Sequence, residues 1–342
     1  MSTVIILTET VLHLTYAVSI REKCFHEERL VIVWFGSNSV IDEYPFLFEE
    51  KNIEYIFISN PNKNNFFLMH DSIKEINYKI SHLKNQNCKL ITYYDTHPGF
   101  EIIRDILSIP WDRIGLLEDG QANYFSEISM PSIQNRVIKH CINKLLGRFP
   151  VNLSRYNLGG NKLIKLMYVM SPKYTFTKNP TKVKIVPIME HVKGFLEGIE
   201  FEVSEEFRKM DAFLTLAPVY SYGRLDKKQL FSYIKKTIKE LNSKIIVVKP
   251  HMRDSELGIR EDISELKEYG VVLAPNLPTE FLFHEIPETK WIGNASTSML
   301  NRHFLYPDYR DTFHISFEGK SQFFNQQRRC MKRILRDKYK ID

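Results

Sequence analysis

Cysteine is scarce: four residues in 342, at Cys24, Cys88, Cys141 and Cys330, with no CxxC pair and no histidine cluster nearby. That spacing excludes a disulfide framework or a zinc site and fits reduced thiols in a cytoplasmic protein. Long apolar runs are also missing, since no 18 consecutive apolar residues occur, so no membrane span is expected. The apolar run from Val4 to Ile20 lacks a basic lead-in and contains Glu9 and His13. It is therefore expected to be a strand followed by a helix, not a leader. No GxGxxG follows this first run, which argues against a nicotinamide or flavin cofactor. Repeats of 20 to 50 residues and low-complexity tracts are absent as well.

What is present is ample apolar material. A hydrophobic fraction of 43% and an aromatic fraction of 13% suffice for two cores, and 342 residues exceed the usual single-core size. The net charge of +6 is concentrated at one end. From Glu318 onward the basic residues are Lys320, Arg328, Arg329, Lys332, Arg333, Arg336, Lys338 and Lys340, against Glu318, Asp337 and Asp342. Such a basic helix can face water, a polyanionic substrate or an anionic membrane surface, and peripheral contact with the inner membrane is the membrane reading. No nucleic-acid motif accompanies it, so nucleic acid is not an expected partner.

Apolar or β-branched runs at Val4–Leu7, Leu30–Trp34, Tyr55–Ser59, Leu90–Tyr94 and Gly115–Leu117 alternate with helically spaced segments such as Ser72–Leu83 and Ile102–Leu107. That alternation predicts βαβ units and a parallel sheet. It weakens between Ser171 and Met210, where Ser171-Pro172, Asn179-Pro180 and the acidic Glu202–Glu206 interrupt a strand at Lys184–Ile188, and the domain connection is placed there. A second series follows, with strands at Ala212–Leu216, Lys244–Val248, Val271–Leu273 and Trp291–Ile292. Its helices lie at Lys227–Leu241 and Glu261–Tyr269, with another starting at Thr279. Two Rossmann-like halves are the plan of an α/β GT-B-type glycosyltransferase, with two domains facing a central cleft. The expected division is 1–190, 191–318 and a basic C-terminal helix, 319–342, free to pack back on the first domain.

Chemistry is expected where strands end. Ile114-Gly115-Leu116-Leu117 runs into Glu118-Asp119-Gly120, and ligands of open α/β sheets gather at carboxyl strand ends. The plain alternative is that Glu118 or Asp119 caps a helix beginning near Asn123. His97-Pro98-Gly99 also follows a strand, after Asp95 and Thr96, and reads as a tight turn. In the second half, Val247-Val248-Lys249-Pro250-His251-Met252-Arg253 brings a histidine suited to giving a leaving group a proton, between cations that attract phosphate. Ile292-Gly293-Asn294-Ala295-Ser296-Thr297-Ser298 reads as a phosphate cradle at a helix start, or as an ordinary N-cap. Glu280, after Pro278-Thr279, is a candidate ribose ligand or a first-turn acid.

Taken in order, these motifs resemble the bacterial CMP-sialic acid-dependent sialyltransferases of GT-B fold, of the lipooligosaccharide sialyltransferase and polysialyltransferase type. Those are marked by a D/E-D/E-G motif, an HP motif and a later serine pair. Glu118-Asp119-Gly120 matches the first, and Ser296-Thr297 answers to the third. At the second, His251 is followed by Met252 where the family has proline. The literal dipeptide His97-Pro98 precedes the acidic motif and lies in the other half. The resemblance spans residues 114 to 300 in motifs of two or three residues each. It implies an inverting transfer of sialic acid from CMP-sialic acid to a hydroxyl of a bacterial surface glycan, galactose-terminated or sialylated.

In that reaction Glu118 is the base, with Asp119 holding the turn or orienting the acceptor, or the two exchange roles. His251 and Lys249 meet the leaving phosphate, Ser296, Thr297 and Ser298 hold it, and Glu280 holds the ribose. Fixed donors neutralise the charge, and no DxD motif is present, so neither a metal nor a cofactor is expected. Two alternatives stay open: another GT-B transferase using CMP-Kdo or a UDP- or GDP-sugar, and a non-catalytic glycan- or lipid-binding protein of the same fold.

Overall fold

The computed structural model describes residues 2–50, 52–59, 66–94, 97–124, 163–175, 181–216, 226–251, 254, 257–293, 296–315 and 322–340. Cys141, Asp95, Thr96, Asn179-Pro180, Met252, Arg253, Asn294, Ala295, Glu318, Lys320 and Asp342 lie outside these residues. The chain divides into two compact units, Met1–Phe195 and Leu196–Asp342.

The first unit is built from β1 (Thr3–Thr8), α1 (Val11–Ser19), β2 (Arg29–Phe35), β3 (Ile53–Ile58), α2 (Phe66–Ile80), β4 (Cys88–Thr92), α3 (Pro98–Ile106) and β5 (Ile114–Leu117). It continues with β6 (Leu166–Val169), β7 (Lys184–Pro187) and α4 (Met189–Glu197), within which the division falls. The sheet order is β3-β2-β1-β4-β5-β6-β7 and every pairing is parallel, with Ile5 opposite Val31 on one side and Leu90 on the other. Sheets covered on both faces need strands that are apolar throughout, and β1 is buried along its whole length. Ile5, Leu7, Val31, Val33 and Leu90 share one core with Ile76 and Ile80 of α2 and Phe100 and Ile103 of α3. From β1 the chain steps outward to β3 and then returns to the other side of β1. The strand order therefore reverses between β1 and β4.

The second unit contains β8 (Ala212–Thr215), α5 (Lys227–Leu241), β9 (Ile246–Lys249), α6 (Ile259–Ser264), β10 (Val271–Leu273), β11 (Lys290–Gly293), α7 (Thr297–Leu305), β12 (Thr312–Ile315), α8 (Gln322–Leu335) and β13 (Tyr339–Lys340). Its sheet, β10-β9-β8-β11-β12-β13, is again parallel throughout and reverses between β8 and β11. An Asp226–Gln229 capping box opens α5, and Asn242 in the left-handed region closes it. Leu230 and Ile234, one turn apart, bury this helix against Leu214, Ile246 and Val248. Gly293 ends β11 at φ +133°, and a Cβ there would lie 2.1 Å from the Thr215 carbonyl oxygen, so glycine alone lets β11 close on β8 at the reversal.

Three strands were not evident from the sequence: β6, β12 and β13 are short, and β12 is mixed in polarity. The helix expected from Thr279 is a 3-10 turn, Thr279–Leu282. The basic C-terminal helix, left free by the sequence to return to the first domain, packs on α7 and β13 of the second unit. It buries Cys330, Met331, Ile334 and Leu335 there and exposes Arg329, Lys332, Arg333 and Arg336.

One buried cation organises this layer. Arg302 of α7 is fully buried and donates to Asp311 Oδ2 at 2.8 Å and to the carbonyls of Phe283, Ile286 and Pro287 at 2.5, 3.0 and 3.2 Å. Removing one member of a buried ion pair strands the other, which costs about 3–5 kcal/mol. Arg302→Met is accordingly expected to lower the unfolding free energy by about that much in urea titration. A loss below about 1 kcal/mol would contradict this role.

Candidate functional site

At the carboxyl end of β5 the two acidic side chains meet different surroundings. The ladder continues one residue past the strand, with Glu118 N–H donating to Tyr168 O at 3.0 Å. Glu118 is fully buried, and its Oε2 accepts from Tyr124 O–H at 2.6 Å and Met170 N–H at 2.5 Å. Burial pushes its carboxyl up to about 8; Tyr124 and Met170 pull the other way, and the neighbouring Asp119 charge adds to the rise. Asp119, one residue on, is a third exposed, and its N–H donates to Asn123 Oδ1 at 2.7 Å. The following element is a short 3-10 turn, Gly120–Tyr124, and the helix expected from near Asn123 runs into residues outside those described.

Asp119 does not stand alone. Its Oδ1 lies 2.8 Å from Nε2 of His13, in the first turn of α1, whose N-cap Thr10 accepts from the His13 backbone N–H at 3.2 Å. The imidazole stacks on Tyr93 with ring centroids 4.2 Å apart and planes at 20°. Tyr93, just past β4, donates its hydroxyl to Glu9 Oε2 at 2.6 Å, and burial followed by this bond raises its phenol further. Glu9 Oε2 is also 3.9 Å from His97 Nε2. His97 is buried and caps α3, its Nδ1 accepting Gly99 N–H at 3.1 Å. Its turn role is thus as the sequence indicates, and the ring in addition faces Glu9 and Tyr93.

Glu9, His13, Tyr93, His97 and Asp119 follow β1, β4 and β5, so they gather at the carboxyl edge where the strand order reverses. Crevices at such reversals are where doubly wound sheets hold ligands. At this edge Glu118 Oε1, Asn123 Nδ2 and His13 Nδ1 are buried with no hydrogen-bond partner among the described residues. Glu9, His13 and Tyr93 escape sequence reading because their pairing joins residues 84 and 106 positions apart. The available signal is their place just beyond apolar strands.

In the second unit the anticipated residues collect at the corresponding edge. Lys249, the last residue of β9, is nearly buried; burial and then the Arg260 charge push its ammonium down to about 8, with Glu280 opposing. Glu280, in the turn Thr279–Leu282, is also buried, and its Oε1 accepts from Ser298 Oγ at 2.9 Å and Asn301 Nδ2 at 3.1 Å. Burial raises its carboxyl, against hydrogen bonds that include Ser298 and Asn301 and against the Lys249 charge. Ser296 is the N-cap of α7, accepting Met299 N–H at 3.3 Å, and Thr297 opens the helix. His251 is half-buried two residues beyond β9. Asn301 is the residue here that the sequence did not single out, and its signal is helical spacing from Ser298.

The Glu118 shift has a thermodynamic consequence. Its folded value near 8 lies above the ordinary 4.5, so between those pH values the native state keeps a proton that the unfolded chain has lost. Stability therefore falls as pH rises through this window, by up to about 1.4 kcal/mol per pH unit. Glu118→Gln preserves an acceptor for Tyr124 and Met170 but cannot ionise. In urea titrations from pH 5 to 9 it is expected to gain stability over the unsubstituted protein as pH rises and to level off above about 8. Parallel profiles for the two proteins would contradict the shift.

No protein-family model and no curated protein sequence matches the chain. Solved structures do match. UDP-GlcNAc 2-epimerase from Neisseria meningitidis, bound to UDP-GlcNAc, is similar at 13% identity and TM-score 0.54, over 93% of this chain and 83% of that one. S. aureus MnaA, in a structure with UDP, is similar at 11% identity and TM-score 0.55, over 98% and 88%. UDP-N-acetylglucosamine 2-epimerase from Rickettsia bellii is similar at 15% identity and TM-score 0.51, over 88% and 76%. With two all-parallel sheets in succession, this likeness shows that the chain has the GT-B fold of two Rossmann-like domains.

Proposed function

We propose that this protein is a sugar-nucleotide-dependent enzyme of GT-B type that transfers a glycosyl group from a pyrimidine nucleotide sugar to a hydroxyl acceptor. The observation that carries the reading is the contact between partly exposed Asp119 and buried His13, beside a fully buried Glu118, at the reversal edge of the first sheet. Of two adjacent carboxyls, burial keeps Glu118 protonated below about 8, whereas Asp119 has an exposed surface from which to accept a proton. In this reading the base is Asp119, the second of the two assignments left open by the sequence. Glu118 stiffens the strand end through Tyr124 and Met170.

Lys249, His251 and the first turn of α7, with Ser296, Thr297 and Ser298, are assigned to the phosphate. Glu280, held by Ser298 and Asn301, is assigned to the ribose. A buried ammonium and a helix N-terminus both favour the charge that develops on a departing phosphate. The UDP and UDP-GlcNAc carried by the similar S. aureus and Neisseria structures favour a UDP-sugar. The order Glu118-Asp119-Gly120, His251, Ser296-Thr297 favours the narrower reading, CMP-sialic acid as donor and a bacterial surface glycan as acceptor.

A donor panel separates these readings. CMP-sialic acid, CMP-Kdo, UDP-GlcNAc and a GDP-sugar are offered with galactose-terminated and sialylated acceptors, with and without EDTA. One pyrimidine nucleotide sugar is expected to raise the melting temperature, with a stabilisation of about 2.7 kcal/mol at a hundredfold excess over its Kd, and to release its nucleotide on transfer. Binding without nucleotide release or product for every donor would favour the non-catalytic alternative. No binding to any of the four would overturn the proposal.

A further inference from the structure

His13 is fixed from three directions. Its Nε2 meets Asp119 Oδ1 at 2.8 Å, its ring lies on Tyr93 at 4.2 Å, and its backbone N–H is taken by Thr10 Oγ1 at 3.2 Å. Only 3% of the residue is exposed. The stacking partner is itself held, because Tyr93 donates to Glu9 at 2.6 Å. Rotating the imidazole would break both the stack and the bond to Asp119. A carboxylate only accepts hydrogen bonds, so Nε2 carries the hydrogen of the bond to Asp119.

The effect on Asp119 is to use one oxygen and leave the other. Oδ1 is engaged by His13, the backbone N–H is engaged by Asn123, and Oδ2 takes no hydrogen bond among the described residues. A base must present a lone pair in a set direction to a hydroxyl, and misplacing a reacting group by about 1 Å can cost on the order of 100-fold in rate. Resting on the reading of Asp119 as base, we propose that His13 is a positioning residue that orients the Asp119 carboxylate, with Oδ2 directed to the acceptor hydroxyl. In the step it serves, the acceptor O–H bond breaks and its proton passes to Oδ2. The acceptor oxygen bonds to the anomeric carbon, and the carbon–oxygen bond to phosphate breaks with its electron pair leaving on the nucleotide. The titratable groups that meet His13 are Asp119 after β5 and Tyr93 after β4; Glu9 after β1 and His97 ahead of α3 meet Tyr93 in turn, and Glu118 adjoins Asp119 in the chain.

Three variants of the full chain test this, with thermal melts to confirm folding. In His13→Gln the amide Nε2 can reach the place of the imidazole Nε2, whereas in His13→Asn the shorter amide cannot. His13→Ala and His13→Asn are expected to lower kcat by about 10–100-fold with acceptor and donor KM within about threefold, and His13→Gln to recover most of the loss. Equal rates in all three, or a change confined to KM, would overturn the proposal. A second readout needs no turnover: 15N NMR of the imidazole is expected to show a hydrogen on Nε2, bonded to Asp119, and Asp119→Asn to disturb that signal. An Nε2 without hydrogen would overturn the role of His13. Absence of transfer by the unsubstituted chain would instead count against the proposed reaction, and the NMR result would still decide whether His13 holds Asp119.

Discussion

All-parallel pairing is the constraint on which the rest of this molecule depends. In a parallel sheet every strand ends on the same edge, so each residue that follows a strand is delivered to one line across the sheet. The reversal of order between β1 and β4 then opens that line, because the segments leaving these adjacent strands depart toward opposite faces. Glu9, Tyr93 and Asp119 arrive there as the next one or two residues after β1, β4 and β5. The second sheet repeats the device between β8 and β11, where Gly293 permits the close approach that a side chain would forbid.

Within the first unit the same geometry divides one dipeptide into two chemical species. Successive side chains of an extended chain point to opposite sides, so Glu118 and Asp119 cannot share an environment. Glu118 turns into the protein and is held neutral over much of the physiological range by loss of solvent. Asp119 keeps a solvated surface and a histidine partner. Pairs of carboxyls whose surroundings push their protonation apart are a recurrent basis for acid and base roles in enzymes.

The sequence made the apolar strands legible because buried parallel strands are apolar throughout, as β1 and β2 illustrate. The acidic pair was legible for the same reason, since it interrupts such a run. Its division into a buried and a partly exposed carboxyl was not, because that depends on Tyr124, on Met170 more than fifty residues on, and on His13 more than a hundred residues back. In the second unit Ser298 and Glu280 were legible but Asn301 was not, because the bonds that join the three link α7 to a turn some twenty residues earlier in the chain. The short strands β12 and β13 carry too few residues for a period to show, and without them the basic helix α8 had no evident seat.

The central claim is that Asp119, and not Glu118, receives the proton at this edge. Single-turnover transfer by Asp119→Asn and Glu118→Gln, each saturated with the bound donor at pH 7, tests it most directly. Glutamine imitates the protonated Glu118, so that variant is predicted to keep transfer within about tenfold of the unsubstituted protein, while Asp119→Asn loses at least about 100-fold yet still binds nucleotide. The reverse ranking would contradict the account.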